Sequence, residues 1–306
     1  MAKVKARRTH REELPGIALL RDSVATEITA HQTRPAILDL DMDVDPNLRH
    51  LMDHDPDGFF TAVESDETLG FGAAFIRARQ CFLSELWVLP QHQGKGAGEL
   101  LLKKALLYGD RSGAREFLAL VPCESVIQSL LLRYSFKPLT PVYQFHISRQ
   151  AALPLADAMA NLFSGRNATS DLLDRRGQAD LDRIDQVTRG ITREVDHTYW
   201  LKERSFNAAL VRQGDRIAGY GYGVADQVGP VAGSSRDAAL CALGWGLQLA
   251  LADGAQNPLI RVPAPFGSAI QALQEAGARL HSTLMLYGIN VSAAFDRCVL
   301  GVPNLP

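Results

Sequence analysis

The chain has 306 residues, longer than one compact domain usually runs, so two domains are expected. Hydrophobic residues make up 46% and charged residues 22%, a balance that buries a sizeable core and excludes disorder for the bulk of the chain. With 32 basic against 34 acidic residues, a formal net charge of -2, no global pull toward nucleic acid or an anionic membrane is expected, and the partner should be small.

In chain order, the opening MAKVKARRTHR is basic, lacks the apolar stretch of a signal peptide and reads as a mobile tail. Next comes an acidic stretch with Asp39, Asp41, Asp43, Asp45, Asp53, Asp55 and Asp57. A calcium loop starting at Asp41 would put Pro46 where an EF-hand needs Gly and Met52 where it needs Glu, so no metal site is expected there. The same residues read either as a solvated surface with helix caps or as an acidic rim that attracts a cationic amine. From Gly58, three β-rich runs separated by turns at Ser65–Thr68 and Arg77–Gln80 predict an antiparallel meander. It leads into QHQGKGAGELLLKKALLYGD, a glycine loop opening a helix. FLALVP predicts a buried strand, Glu124–Tyr134 a helix and Val142–Ile147 a closing strand.

Ser148–Gly177 has no clear period, and a junction is expected near Gln150–Leu155, which divides the chain into domains 1–150 and 151–306. A second round follows: helix-like DLDRIDQVTRG, strand-like NAALVRQGDRIAGYGYGVA and VGPVAG, and a helix over Ala238–Ala252. Val121-Pro122 and Val262-Pro263 are 141 positions apart, and Ser135 and Gly277 are 142 apart, which reads as an internal repeat of one α/β unit. The apolar run Ala238–Ala252 is too short for a bilayer crossing of about 20 residues. Cys81, Cys123, Cys241 and Cys298 lack CxxC spacing and read as reduced core residues of a cytoplasmic protein rather than zinc ligands.

The segment Glu85-Leu86-Trp87-Val88-Leu89-Pro90-Gln91-His92-Gln93-Gly94-Lys95-Gly96-Ala97-Gly98 carries the chemistry. Three glycines in five residues let the backbone turn tightly and approach a ligand. At a helix start, unpaired amides and the helix dipole make an anion site that fits a pyrophosphate. No Ser or Thr follows the Lys, as a Walker A sequence would require, and the preceding meander is not a parallel βαβ unit.

Gln93, Gly96 and Gly98, after a strand ending in Trp-Val-Leu-Pro, resemble the cofactor motif of the Gcn5-related N-acetyltransferase (GNAT) family, over roughly Pro35 to Ile147. The resemblance implies an α/β fold with a mixed sheet, as two tandem GNAT-like domains. It implies that the amides of Gln93, Gly94, Lys95, Gly96, Ala97 and Gly98 hold the pyrophosphate of acetyl-coenzyme A, and that the strand backbone at Trp87 and Val88 lies along the pantetheine and acetyl group. Arg189-Gly190, Arg193, Gly219-Tyr220-Gly221 and Gly229-Pro230-Val231-Ala232 resemble the C-terminal domain of bacterial tandem acetyltransferases, with SSRDAA where the glycine loop would be. By the repeat offset, Asp237 stands where Gly96 does and would repel a phosphate. The second domain is therefore expected to be structural or to shape the acceptor site.

The expected reaction is direct transfer of an acetyl group to a primary amine of a small molecule or peptide, with Glu85 as the base by resemblance. The opposing reading puts Glu85 on a solvent-facing edge. Relatives place a thiolate acid, Tyr, four residues before a Gly-Phe pair. Here the pair is Ser135-Phe136, the Tyr position holds Leu131 and the preceding Asn position holds Glu124. Tyr134, near the same helix face, is the substitute candidate, with a core role as its alternative. Loss of the Tyr leaves two functions open: an acetyltransferase working by proximity, or a coenzyme A-binding sensor without turnover. His92, His197, Tyr199 and Trp200 read as structural. An oligomer is compatible with the sequence.

Overall fold

The computed structural model describes residues 3–30, 44–65, 67–162, 166–169, 175–204 and 206–306, without the side chains of 25–30, 166–169 and 175–176. Asp39, Asp41 and Asp43, three of the seven residues of the candidate acidic rim, lie outside the described residues. The chain divides into two compact units, Met1–Ala119 and Leu120–Asn304, with Leu305 grouped with the first and Pro306 with the second.

The first unit begins with β1 (Lys5–Arg8), α1 (Leu14–Ala30) and α2 (Pro46–His54). The meander is β2 (Phe59–Glu64), β3 (Glu67–Arg77) and β4 (Gln80–Val88); α3 (Ala97–Arg111) and β5 (Glu116–Pro122) follow. The strand order is β1-β2-β3-β4-β5, antiparallel except for the parallel β4–β5 pair.

The basic opening is not a free tail. Lys5–Arg8 adds a strand to β2, in register from Lys5 opposite Val63 to Arg8 opposite Phe60. Val4 and Ala6 pack on the cluster of Phe60, Ala62, Leu69, Ala97 and Leu101, while Arg7 forks onto Glu13 with bonds of 2.7 and 2.6 Å. The alternation that makes it a strand is masked in the sequence by the charges on its outer face.

The described acidic residues are neutralised within the unit. Asp45 caps α2 by accepting the Asn47 amide at 2.9 Å and pairs with Arg21 at 3.0 Å. Asp53 pairs with Arg11 and Asp57 with Arg8. Buried Asp55 accepts from the Ile76 amide, Arg77 Nη1 and the Tyr108 hydroxyl, each at 2.8 Å, which ties α2, β3 and α3 together. These four residues do not form a rim of unpaired charge.

The second unit contains α4 (Ser125–Arg133), β6 (Lys137–His146), α5 (Arg149–Ala160), β7 (Arg166–Thr169) and α6 (Arg175–Arg189). After α7 (Glu194–Thr198) and a π-helical turn come β8 (Asn207–Gln213), β9 (Arg216–Val224) and β10 (Gln227–Gly233). α8 (Arg236–Ala252), β11 (Leu259–Pro263), α9 (Gly267–Glu275), β12 (Arg279–Ile289) and β13 (Cys298–Val299) complete it. Its strand order is β12-β6-β11-β10-β9-β8-β7, with β13 on β10.

The division between units falls before the expected junction because β6 pairs antiparallel with both β11 and β12. The junction itself lies inside α5, a helix that the irregular composition did not announce and that contains Pro154. α5 packs on α8 where Gly244 leaves room: a Cβ there would stand 2.6 Å from the Ala160 amide nitrogen and 2.7 Å from Met159 Cβ.

The internal repeat is visible in local geometry. α4 ends in a Schellman motif, with Phe136 N donating to Leu131 O and Ser135 N to Leu132 O, and Ser135 left-handed at φ 64°. α9 ends the same way, with Ala278 N donating to Leu273 O, Gly277 N to Gln274 O, and Gly277 at φ 83°. Ser135 thus adopts a conformation that costs an L residue about 1–2 kcal/mol and costs glycine almost nothing.

Candidate functional site

β4 is bulged at Ser84: Leu83 faces Ala74 and Glu85 faces Ala73, so one residue is extra. The parallel register with β5 runs from Gln80 opposite Glu116 to Leu83 opposite Ala119 and stops at the bulge. The sheet therefore forks, and Ser84–Val88 of β4 continues beyond its ladder with β5.

Past the fork the chain turns through Pro90–His92 into the glycine loop. Gln93, Gly94, Lys95 and Gly96 are exposed. Gly94 has φ 72° and Gly96 φ 88°, and a Cβ at either would meet nothing within 4 Å, so these positions need glycine for conformation and offer open space to a ligand. Gly96 is the N-cap of the 15-residue α3 and brings no side-chain cap. The first amides of such a helix point out of the loop toward any anion placed there. Ala97, 1% exposed, and Leu101 root the first turn of α3 in the apolar cluster under the meander, so the loop is held from below. The residues present fit a pyrophosphate.

The counterpart in the second unit differs. α8 begins with Ser235, whose hydroxyl accepts the Ala238 amide at 3.1 Å, so the helix caps itself. Aligned by N-caps, Gly96 corresponds to Ser235 rather than to Asp237, because α8 has 17 residues against 15 in α3. Asp237 lies in the first turn and remains an unfavourable neighbour for a phosphate.

Glu85 is 6% exposed and does not face solvent. Its Oε2 accepts the indole N–H of Trp87 two residues along the strand, and its Oε1 lies 3.8 Å from Arg21 Nη1. Burial alone would lower the Arg21 guanidinium pKa; Glu85 and Asp45 outweigh it and hold that pKa above its ordinary value. Arg21 was not singled out in the sequence, because its approach to Glu85 is non-local, and Asp45, read there only as part of the acidic stretch, is its second carboxylate partner. Gln93 donates through Nε2 to the Val88 carbonyl at 3.1 Å, tying the loop to the end of β4.

The structure thus brings Glu85, Trp87, Val88 and the loop Gln93–Gly98 into one unit. Tyr134 belongs to the other unit, as the partly buried C-cap of α4, whose amide donates to the Leu131 carbonyl at 2.9 Å. Leu131 is fully buried, so the usual acid position is a core position here. His92 lies 3.3 Å from Glu67. Of the cysteines, Cys81, Cys241 and Cys298 are buried and Cys123 is exposed. Burial, with Asp55 nearby, pushes the Cys81 thiol up to about 12.

The second unit holds a buried polar network built from the motif residues Arg193 and Tyr220. Arg193 donates from Nε to Asp185 Oδ2 at 2.9 Å and from Nη2 to the Tyr220 hydroxyl oxygen at 2.8 Å. The Tyr220 hydroxyl donates to Asp185 Oδ1. His197 bridges Asp185 at 3.0 Å and the Tyr222 hydroxyl at 2.8 Å, with Trp200 edge-on. Burial would raise the Asp185 carboxyl pKa, but Arg193 and His197 outweigh it and hold it well below the ordinary carboxylate range. The glycines alternating with Tyr220 and Tyr222 on β9 let α8 lie directly on the strand: a Cβ on Gly221 or Gly223 would collide with the carbonyl of Ala242 or Gly246. His197, Tyr199 and Trp200 are buried structural residues.

Among the described residues no helix is long and apolar enough to cross a membrane. Residues 24–127 match the model of the Acetyltransferase (GNAT) family. No curated protein sequence matches the chain. Among solved structures, an acetyltransferase described as putative from Pyrococcus horikoshii is similar at TM-score 0.74 and 14% identity, over 100% of this chain and 97% of that one. A GCN5-related N-acetyltransferase from Sphaerobacter thermophilus gives 0.60 and 15%, over 94% and 95%. A tandem GNAT protein from the clavulanic acid biosynthesis pathway gives 0.57 and 12%, over 94% and 98%. Residues 24–127 are a domain of the GNAT acetyltransferase family, within a chain that has the fold of tandem GNAT proteins.

Proposed function

We propose that the chain is a cytoplasmic N-acetyltransferase that binds acetyl-coenzyme A at Gln93, Gly94, Lys95, Gly96, Ala97 and Gly98, with Trp87 and Val88 along the acyl-pantetheine. The acceptor is a primary amine of a small molecule or peptide. The observation that carries this reading is the forked β4–β5 ladder, bulged at Ser84, leading directly into the left-handed glycines at the N-terminus of α3.

When bound, acetyl-coenzyme A supplies an activated thioester carbonyl. The loop amides neutralise the pyrophosphate, and the β4 edge presents backbone groups to the extended pantetheine. The neutral amine attacks the carbonyl, a C–N bond forms and the C–S bond breaks. Glu85 takes the proton the amine loses, directly or through a water, and the departing thiolate gains one. With Leu131 at the usual acid position, solvent supplies that second proton. Buried Glu85 is positioned by its hydrogen bond from the Trp87 indole and by Arg21 beside it.

Amine-dependent release of coenzyme A, measured with a panel of small amines and peptides, tests the reading. Turnover that falls in Glu85→Gln without loss of acetyl-coenzyme A affinity supports it. Tight binding with no turnover for any amine would instead favour a coenzyme A-binding sensor, a reading consistent with Leu131 at the acid position.

A further inference from the structure

The second unit repeats the fork. β10 runs parallel to β11 only at Gln227 opposite Leu259 and Val228 opposite Ile260. Its register with β9 then shifts between Val228 and Val231, at Gly229-Pro230. This is the counterpart of the Ser84 bulge, after which the first unit offers the β4 edge.

Here the edge is occupied by the chain itself. Val231 pairs antiparallel with Val299 and Ala232 with Cys298, and Gly233 N donates to Arg297 O at 3.2 Å. On the other arm, Leu300 N donates to Arg261 O at 2.9 Å, and Arg261 Nη1 donates to Gly301 O at 3.2 Å. The strand Arg297–Gly301 therefore bridges both arms of the fork. Cys298, Val299 and Leu300 are 0%, 0% and 1% exposed, and Val299 belongs to the main apolar core of the unit.

The fork is shaped for this strand. Gly229, at φ 129°, has the Leu300 carbonyl oxygen 2.6 Å from where a Cβ would be. From below, Arg189 Nη2 donates to Val299 O at 3.3 Å. The motif residues Gly229 and Arg189, which the acyl-transfer chemistry does not use, both find their purpose in holding this segment.

We propose that the fork of the second unit is a peptide-strand slot, not a second acyl-coenzyme A site, and that Arg297–Gly301 is its resident occupant. An extended peptide satisfies both arms with backbone hydrogen bonds, as a pantetheine would on one, and the self-capped α8 has no loop for a pyrophosphate. The chain then binds a single acetyl-coenzyme A. That stoichiometry rests on the proposed function; the strand in the slot does not.

The cysteines report on the slot. With N-ethylmaleimide and peptide mass spectrometry, Cys123 should label quickly and Cys298 at least about a hundredfold more slowly. Gly229→Ala pushes a methyl against the Leu300 carbonyl and should raise the Cys298 rate at least tenfold, with Cys81 still protected as a control for the first unit. The wild-type chain gives a measure independent of any variant's folding: hydrogen exchange at the Leu300 amide should be as slow as in β9. Fast exchange there, Cys298 labelling at the Cys123 rate, or two acetyl-coenzyme A molecules bound per chain would overturn the proposal. No acetyl-coenzyme A binding at all would sink the proposed function, while slow Leu300 exchange would still support the strand slot.

Discussion

Gly96→Ala separates the backbone demand of the glycine loop from any steric demand. At φ 88° and with nothing within 4 Å of its would-be Cβ, Gly96 clashes with no neighbour when a methyl is added. The whole cost is conformational, about 1–2 kcal/mol for an L residue held left-handed. If the loop keeps its shape, that cost appears as lost stability; if it relaxes, the first amides of α3 re-aim and the cost appears in binding. Because 1.4 kcal/mol is a factor of ten, affinity for acetyl-coenzyme A should fall roughly 5- to 30-fold. Gly113→Ala is the matched control: it is also left-handed, at φ 78°, and also open, but it follows the other end of α3. Calorimetric titration with thermal melting should show the cost chiefly as lost affinity in Gly96→Ala and as lost stability with unchanged affinity in Gly113→Ala. Equal affinities in the two would refute the assignment of the loop to the pyrophosphate.

Glu85→Gln should lower kcat by about 10²–10⁴-fold if the carboxylate takes the proton, with acetyl-coenzyme A affinity in calorimetry unchanged. Ser135→Gly should stabilise the second unit by about 1 kcal/mol, read as a higher melting midpoint, because it relieves a left-handed L residue in a Schellman motif. Arg193→Ala leaves buried Asp185 without its arginine, with only His197 and the Tyr220 hydroxyl against it, and should destabilise that unit by about 3–5 kcal/mol in chemical denaturation, whereas a surface arginine such as Arg133→Ala should change little. The depressed Asp185 carboxyl sets the sign of an acid transition: its stabilisation is fully present above the ordinary aspartate value of 3.8 and is lost as pH falls below it. Melting from pH 5 to pH 2 should show the second unit losing stability as pH falls below 3.8, and a unit indifferent to pH there would contradict the network.

The meander, the glycine loop and α8 were legible because their signals are local: period-two alternation, glycine clustering and a long apolar run. The internal repeat was legible from the Val-Pro pairs and the Ser135–Gly277 offset, and both helix ends carry the same capping bonds. β1 was missed because Lys5 and Arg7 hide the inward Val4 and Ala6. α5 was missed because Pro154 interrupts a helix whose buried face is mostly alanine. The pairing of β6 with both β11 and β12 leaves no local trace, since strand registers more than a hundred residues apart are set by tertiary packing. At the candidate site, the loop could be read from composition alone, whereas the approach of Arg21 to both Asp45 and Glu85 could not. β13 is two residues long, and only the apolar run of Cys298, Val299 and Leu300 and the glycine at 229 hint at it.

Release of coenzyme A thiol from acetyl-coenzyme A, followed with and without amine for the wild type and Gly96→Glu, tests the central claim most directly. The substitution places a carboxylate and a side chain at the N-cap of α3, where an anion should sit. Amine-dependent release in the wild type, with a matching N-acetylated product by mass spectrometry and none in Gly96→Glu, is the predicted result. Equal release from both proteins would remove the reaction from the Gln93–Gly98 loop and contradict the account.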